Sequence, residues 1–149
     1  ATYAQSQGVK AHGMNLGGRY VFPFGSVKFV PALHSSGYEI DGVMTYMGEA
    51  SGIILEAEDK KIYHAGDTAL FSDMRLFAKD KSIDVAFLPI GDNYTMGPED
   101  ALEAVSYLNP KITIPIHYNT FPVIQQNPAI FVEQVVGGKV LNPGETILV

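Results

Sequence analysis

Three apolar runs in this 149-residue chain each end on a side chain able to bind a metal ion. "FVPALH" ends on His34, "KIYHAGD" on Asp67 and "KITIPIH" on His117. Two imidazoles and one carboxylate suit a borderline divalent cation, zinc foremost, with manganese or iron as alternatives. Strand ends along one sheet edge lie close together however far apart they are in sequence, which is how α/β sites are assembled. The pattern therefore predicts that His34, Asp67 and His117 converge on one cleft, within direct reach of a common metal site. Taken singly, a histidine at a strand end is more often structural or solvent-facing, and no local metal repeat such as H-E-x-x-H supports the three. A second chemistry open to Asp67-Thr68 is that of a phosphoryl-accepting aspartate, for which Asp92 is the one acidic helper. Other reactions lack their motifs. "GEASG" at 48–52 has its serine one place too late for a nucleophile elbow, and no glycine-rich phosphate loop is present.

The elements that would carry these residues are legible from period and punctuation. Residues 1–7 read as the last turns of a helix, stopped by Gly8. Strands are predicted at 9–12, 19–22 and 26–33, then a loop over 35–51. A hairpin follows, with strands at 52–57 and 61–65. Residues 71–79 suit a short helix and 84–90 a strand buried on both faces. Pro98, with Glu99 and Asp100 behind it, opens a helix running to Leu108. A strand at 111–116, a helix at 128–136 and closing strands at 139–141 and 146–149 complete the order. Strands first, then alternating strands and helices, give a layered α/β or α+β domain.

Composition narrows the class. Hydrophobic residues make up 46 % and charged residues 17 %, the balance of one packed domain spanning 1–149. The net charge is −6 and the ten Lys and Arg are scattered, which argues against a nucleic-acid partner. No apolar run is long enough to span a bilayer, so no membrane partner is expected. Cysteine is absent, which excludes disulfides and thiolate ligands and fits a reducing, cytoplasmic setting.

Four blocks then share a resemblance: "VPALHSSG" at 30–37, "IYHAGDT" at 62–68, "FLPIGDNYTMGPEDA" at 87–101 and "IPIHYNTFP" at 114–122. In this order they resemble the metallo-β-lactamase superfamily. The nearest branch is the small bacterial metal-dependent hydrolases, relatives of the ascorbate-6-phosphate lactonase group. The resemblance implies an αββα sandwich holding one or two divalent metal ions at the sheet edges. His34 would complete the first metal's ligand set, Asp67 would bridge the two metals, and His117 would belong to the second. Asp92, Asn93, Tyr118 and Asn119 would line the cleft for a small-molecule substrate, although Asn and Asp are also common turn residues. His64 would be a buried packing histidine or one that orients a ligand, and His12 a strand-surface residue. The implied reaction is hydrolysis, with metal-bound hydroxide attacking a carbonyl or phosphorus centre. The family's main motif, H-x-H-x-D-H, is absent here, and with it the aspartate that handles the proton. The resemblance thus implies an incomplete sandwich, the C-terminal two thirds of the fold, whose open side a complementing N-terminal segment or a homo-oligomer would fill. The rival expectation is a metal-free, inactive fragment or binding module that keeps the fold alone.

Overall fold

The computed structural model describes residues 1–149. Eight strands and three short helices form a mixed α/β layer structure: α1 (Thr2–Ser6), β1 (Arg19–Phe22), β2 (Gly25–Pro31), β3 (Gly37–Ile40), β4 (Val43–Tyr46), β5 (Ser51–Ala57), β6 (Lys60–His64), β7 (Val85–Pro89), α2 (Pro98–Leu108), β8 (Ile112–Ile116) and α3 (Pro128–Glu133). A 3₁₀ segment, Ser72–Ala78, connects β6 to β7.

One six-stranded sheet has the order β1-β2-β5-β6-β7-β8. The first four strands pair antiparallel, and β6, β7 and β8 run parallel. This direction puts the ends of β2, β6, β7 and β8 on one edge, with the start of β5 beside them. Among the parallel strands β7 is a continuous apolar run, and its "VAFLP" has no polar face to offer water. Helix α2 opens on Pro98 at its first turn, carries Glu99 and Asp100 against the N-terminal dipole, and stops at Asn109 in the left-handed conformation before Pro110.

The two faces of the sheet differ. Val30, Ile54, Tyr63, Ala86, Leu88 and Ile90 join Met74 and Phe77 of the 3₁₀ segment, Ala101, Ala104 and Leu108 of α2, and Phe131 of α3 in one buried core. Tyr63 is fully buried there, and burial pushes its hydroxyl pKa well up. On the opposite face the register lines up Phe29, Ile53, His64, Phe87 and Ile114, and beside them Val27, Leu55, Ile62, Val85 and Ile112. In these two rows Ile53 and His64 are exposed, while Val85 and Ile114, toward the β8 side, are buried. The chain thus contains one large sheet and one small hairpin.

Five local expectations differ from the structure. The 35–51 loop contains the hairpin β3–β4, turned by Asp41 (φ 51°) and Gly42 (φ 78°). An Asp-Gly pair with both residues at positive φ suits the tight hairpin turn. The segments 9–12, 139–141 and 146–149 are not strands. Strand form requires a partner edge, and the outer edge of β8 is met only by the Thr113–Gly138 bridge and its neighbouring bonds. His64 is exposed on the apolar-row face, where its ring stacks on Phe87 at 5.5 Å, and is not a buried histidine.

The edge away from the site is locked by Asp84, only 3 % exposed. Its carboxylate accepts from the Lys61 backbone N–H at 2.8 Å and from Lys111 Nζ at 2.7 Å, tying β6, β7 and β8 at their starts. The Lys111 ammonium, before the backbone donor, holds the Asp84 carboxyl below the usual range. Asp84→Ala leaves the Lys61 N–H unpaired and is expected to cost about 2–3 kcal/mol of stability in urea unfolding. A carboxyl with a lowered folded pKa stabilises above the ordinary Asp value of about 3.9 and loses that contribution as pH falls through the folded value. The variant's deficit should therefore shrink in acid, and a deficit unchanged down to that range would contradict the assignment.

Candidate metal centre

Asp67 and His117 face each other at the shared edge. His117 Nε2 lies 3.5 Å from Asp67 Oδ2. That is too long for a hydrogen bond. Two donors at about 2.0–2.1 Å from one tetrahedral ion sit roughly 3.3–3.4 Å apart. The gap therefore matches two ligands of a single divalent cation better than a direct contact between the side chains. The other ring nitrogen, Nδ1, is buried and has no hydrogen-bond partner.

Two glycines make this approach possible. Gly66 has φ +66°, and a Cβ there would come within 2.9 Å of the Ser51 carbonyl oxygen, so the chain can turn Asp67 outward only with glycine before it. Gly91 follows β7 and lies against His117, where a Cβ would collide with the His117 carbonyl and reach within 3.0 Å of its Nδ1. His117 itself takes positive φ, 54°, as its strand ends. His64 contributes indirectly: its Nδ1 accepts from the Gly66 N–H at 3.1 Å, steadying the turn that carries Asp67.

His34 is placed on the same edge but not in the same cluster. The Leu33 backbone beside it is bonded to the Asp67 loop: Leu33 N–H donates to Thr68 Oγ1 at 2.9 Å, and Ala69 N–H donates to the Leu33 carbonyl at 3.0 Å. The His34 side chain is exposed, with Nδ1 2.8 Å from the Ser35 carbonyl. A carbonyl can only accept, so Nδ1 carries the proton and Nε2 keeps its lone pair for a cation. No group of three or more His, Cys, Asp or Glu side chains gathers at metal-holding distance. Of the three residues expected to converge, Asp67 and His117 face each other, and the His34 ring lies against the Ser35 carbonyl.

Thr68 was not singled out by the sequence reading. It is fully buried, accepts from Leu33 N–H, donates to the Ala69 carbonyl at 2.8 Å, and its carbonyl accepts from Met96 N–H at 2.9 Å. One residue thereby fastens the loops after β2, β6 and β7. A threonine beside a candidate ligand, in "GDT", was the available signal.

The four residues expected to line the cleft fall into different roles. Asp92 and Asn93 are exposed turn residues with φ 61° and 37°, and Asp92 Oδ1 accepts from Asn93 N–H at 2.9 Å. Asn119 Oδ1 accepts from Gln126 N–H at 2.7 Å and cinches the loop after β8. Tyr118 is half-buried against the core, and burial raises its hydroxyl pKa. The aromatic groups open to solvent at this edge are instead Tyr94 and Phe121.

Known proteins share the fold of this chain. Residues 1–118 match the model of the beta-lactamase superfamily domain. The chain belongs to that superfamily. A UPF0173 metal-dependent hydrolase of Enterococcus faecalis is 97 % identical over all 149 residues, and one of Bacillus cereus is 54 % identical over 99 % of the chain. The chain spans 66 % of the length of both relatives. Among solved structures, Igni18, a metallo hydrolase of Ignicoccus hospitalis, superposes with a TM-score of 0.84 at 35 % identity, over 98 % of this chain and 64 % of that one. A Zn-dependent hydrolase of the metallo-beta-lactamase superfamily from Thermotoga maritima gives 0.60 at 26 % identity, over 82 % and 58 % of the respective chains. No helix of this chain is long and apolar enough to cross a membrane.

Proposed function

We propose that the chain supplies part of the metal centre of a cytoplasmic hydrolase acting on a small molecule. The observation carrying this reading is the facing pair, Asp67 Oδ2 and His117 Nε2, at the separation of two ligands of one cation. Asp67 would contribute the anionic donor and His117 the neutral one, with His34 reached by rotation of its exposed ring. A divalent ion held there, zinc foremost, would polarise the bond under attack and activate water against a carbonyl or phosphorus centre. The chain's own part is positional. Thr68 fixes the Asp67 loop against the His34 loop, Gly91 leaves room for His117, and the parallel strands β6 and β8 keep Asp67 and His117 on one rigid edge. The apolar rows on the open face of the sheet would pack against a further segment of the kind the longer relatives carry, which would bring the remaining ligands and the proton-handling group.

Metal-dependent turnover tests the reading. Hydrolysis of a panel of lactones, thioesters and phosphodiesters should disappear on treatment with a chelator and return with zinc or manganese. A protein that binds no divalent ion, or that hydrolyses equally well after chelation, would remove the basis for it.

A further inference from the structure

Beside the facing pair the site edge is aromatic and without positive charge. Phe121 stands 6.5 Å from His117, edge to face, and Tyr94 stands 6.0 Å from Phe121. Phe121 is 42 % exposed and Tyr94 55 %. Both sit on loops that are tied down. Met96 N–H donates to Thr68, and Asp92 N–H to Met96 at 3.0 Å, which closes the loop bearing Tyr94. Asn119 N–H donates to the Ile124 carbonyl at 2.9 Å and Ile124 N–H to the Phe121 carbonyl at 3.2 Å, which closes the loop bearing Phe121. Large aromatic rings held rigidly in water at a reaction edge gain from a partner that buries them.

Charge narrows the partner. Four segments follow the strand ends at this edge, 32–36, 65–71, 90–97 and 117–127, and none of the chain's ten Lys and Arg lies in them. They carry Asp67 and Asp92. A phosphate or carboxylate on the substrate would find no cationic side chain in these segments and would be repelled by the acidic ones. An uncharged group meets no such penalty. We infer that Tyr94 and Phe121 form a shelf for an uncharged aryl or alkyl group of the substrate, next to the bond that is broken, so that this site takes neutral apolar esters, lactones or thioesters in preference to sugar phosphates. The inference rests on the metal-centre reading and names the substrate class of that same site.

Three metal-seeking probes separate the two. The cobalt-loaded protein is titrated with acetohydroxamate, benzohydroxamate and 4-carboxybenzohydroxamate, following the cobalt absorption band and the heat of binding. Benzohydroxamate should bind at least about tenfold more tightly than acetohydroxamate, the scale of filling an apolar subsite. The carboxylated probe should lose most of that advantage. Phe121→Ala and Tyr94→Ala, at exposed positions where folding is not at risk, should abolish the ring's advantage and leave acetohydroxamate binding unchanged. Equal affinity for the first two probes, or tighter binding of the carboxylated one, overturns the shelf while the shifted band upholds the metal centre. No band shift with any probe overturns the metal centre and the shelf together.

Discussion

Replacing Asp67 with alanine is expected to lower divalent-metal affinity by more than about a hundredfold. Changes in groups that merely support a ligand already cost 10–100-fold, and this one removes the only anionic donor of the facing pair. His117 and His34 would remain as neutral donors, with nothing to offset the charge of the cation. If Asp67 bridges two ions, their mutual repulsion is also left uncompensated, and at least one is lost with the hydrolytic activity. Stability should change little, since the Asp67 side chain is half exposed and its one close polar partner is His117. Competition against a chromogenic chelator, read alongside thermal unfolding, separates the two effects. Asp67→Asn, which keeps the shape and removes the charge, should resemble the alanine variant. Metal content equal to that of the unaltered protein in both variants would defeat the assignment.

Gly91→Ala should be damaging for a different reason. The added methyl group would collide with the His117 carbonyl, lie 3.0 Å from its Nδ1 and stand 3.1 Å from Ile124 Cβ. Backbone cannot swing aside as the tip of a side chain can, so the end of β8 must move. Overpacking of this kind costs about 1–3 kcal/mol. For a chain of this size that lowers the thermal midpoint by roughly 3–10 °C. The same shift would pull His117 away from Asp67, so metal affinity should fall as well. Gly97→Ala is the control, because its Cβ would meet only the Asp92 side chain, at 3.3 Å and beyond. Near-normal metal binding by Gly91→Ala, or equal damage from Gly97→Ala, would show that the close approach at Gly91 does not set the position of His117.

Periodicity and local chemistry were enough to read a large part of this protein from its residues. Apolar runs bounded by polar breaks located β1, β2 and the strands of the parallel half, because a strand buried on both faces can contain little else. Pro98 with Glu99 and Asp100 located α2, because helix ends have local requirements. Asp67 and His117 were legible as candidate ligands, because each is a metal-binding side chain directly past an apolar strand. The Asp41-Gly42 hairpin was also written locally and was passed over among the other loop signals. The rest was decided by the tertiary structure. Residues 139–141 and 146–149 have strand-like composition, but the chain pairs with the outer edge of β8 only at the Thr113–Gly138 bridge and does not run on along it. His64 lies within an apolar run, yet register alone sets which face it takes, and that face is the open one. Asn119 became a loop clamp and Tyr118 a packing residue, while Tyr94 and Phe121 came to the edge, because each direction depends on backbone dihedrals at the turns. The sequence supplied the donor types. Which donors face one another, His117 with Asp67 but not His34, followed from the glycine-permitted turns and from the Ser35 carbonyl that accepts a hydrogen bond from the His34 ring.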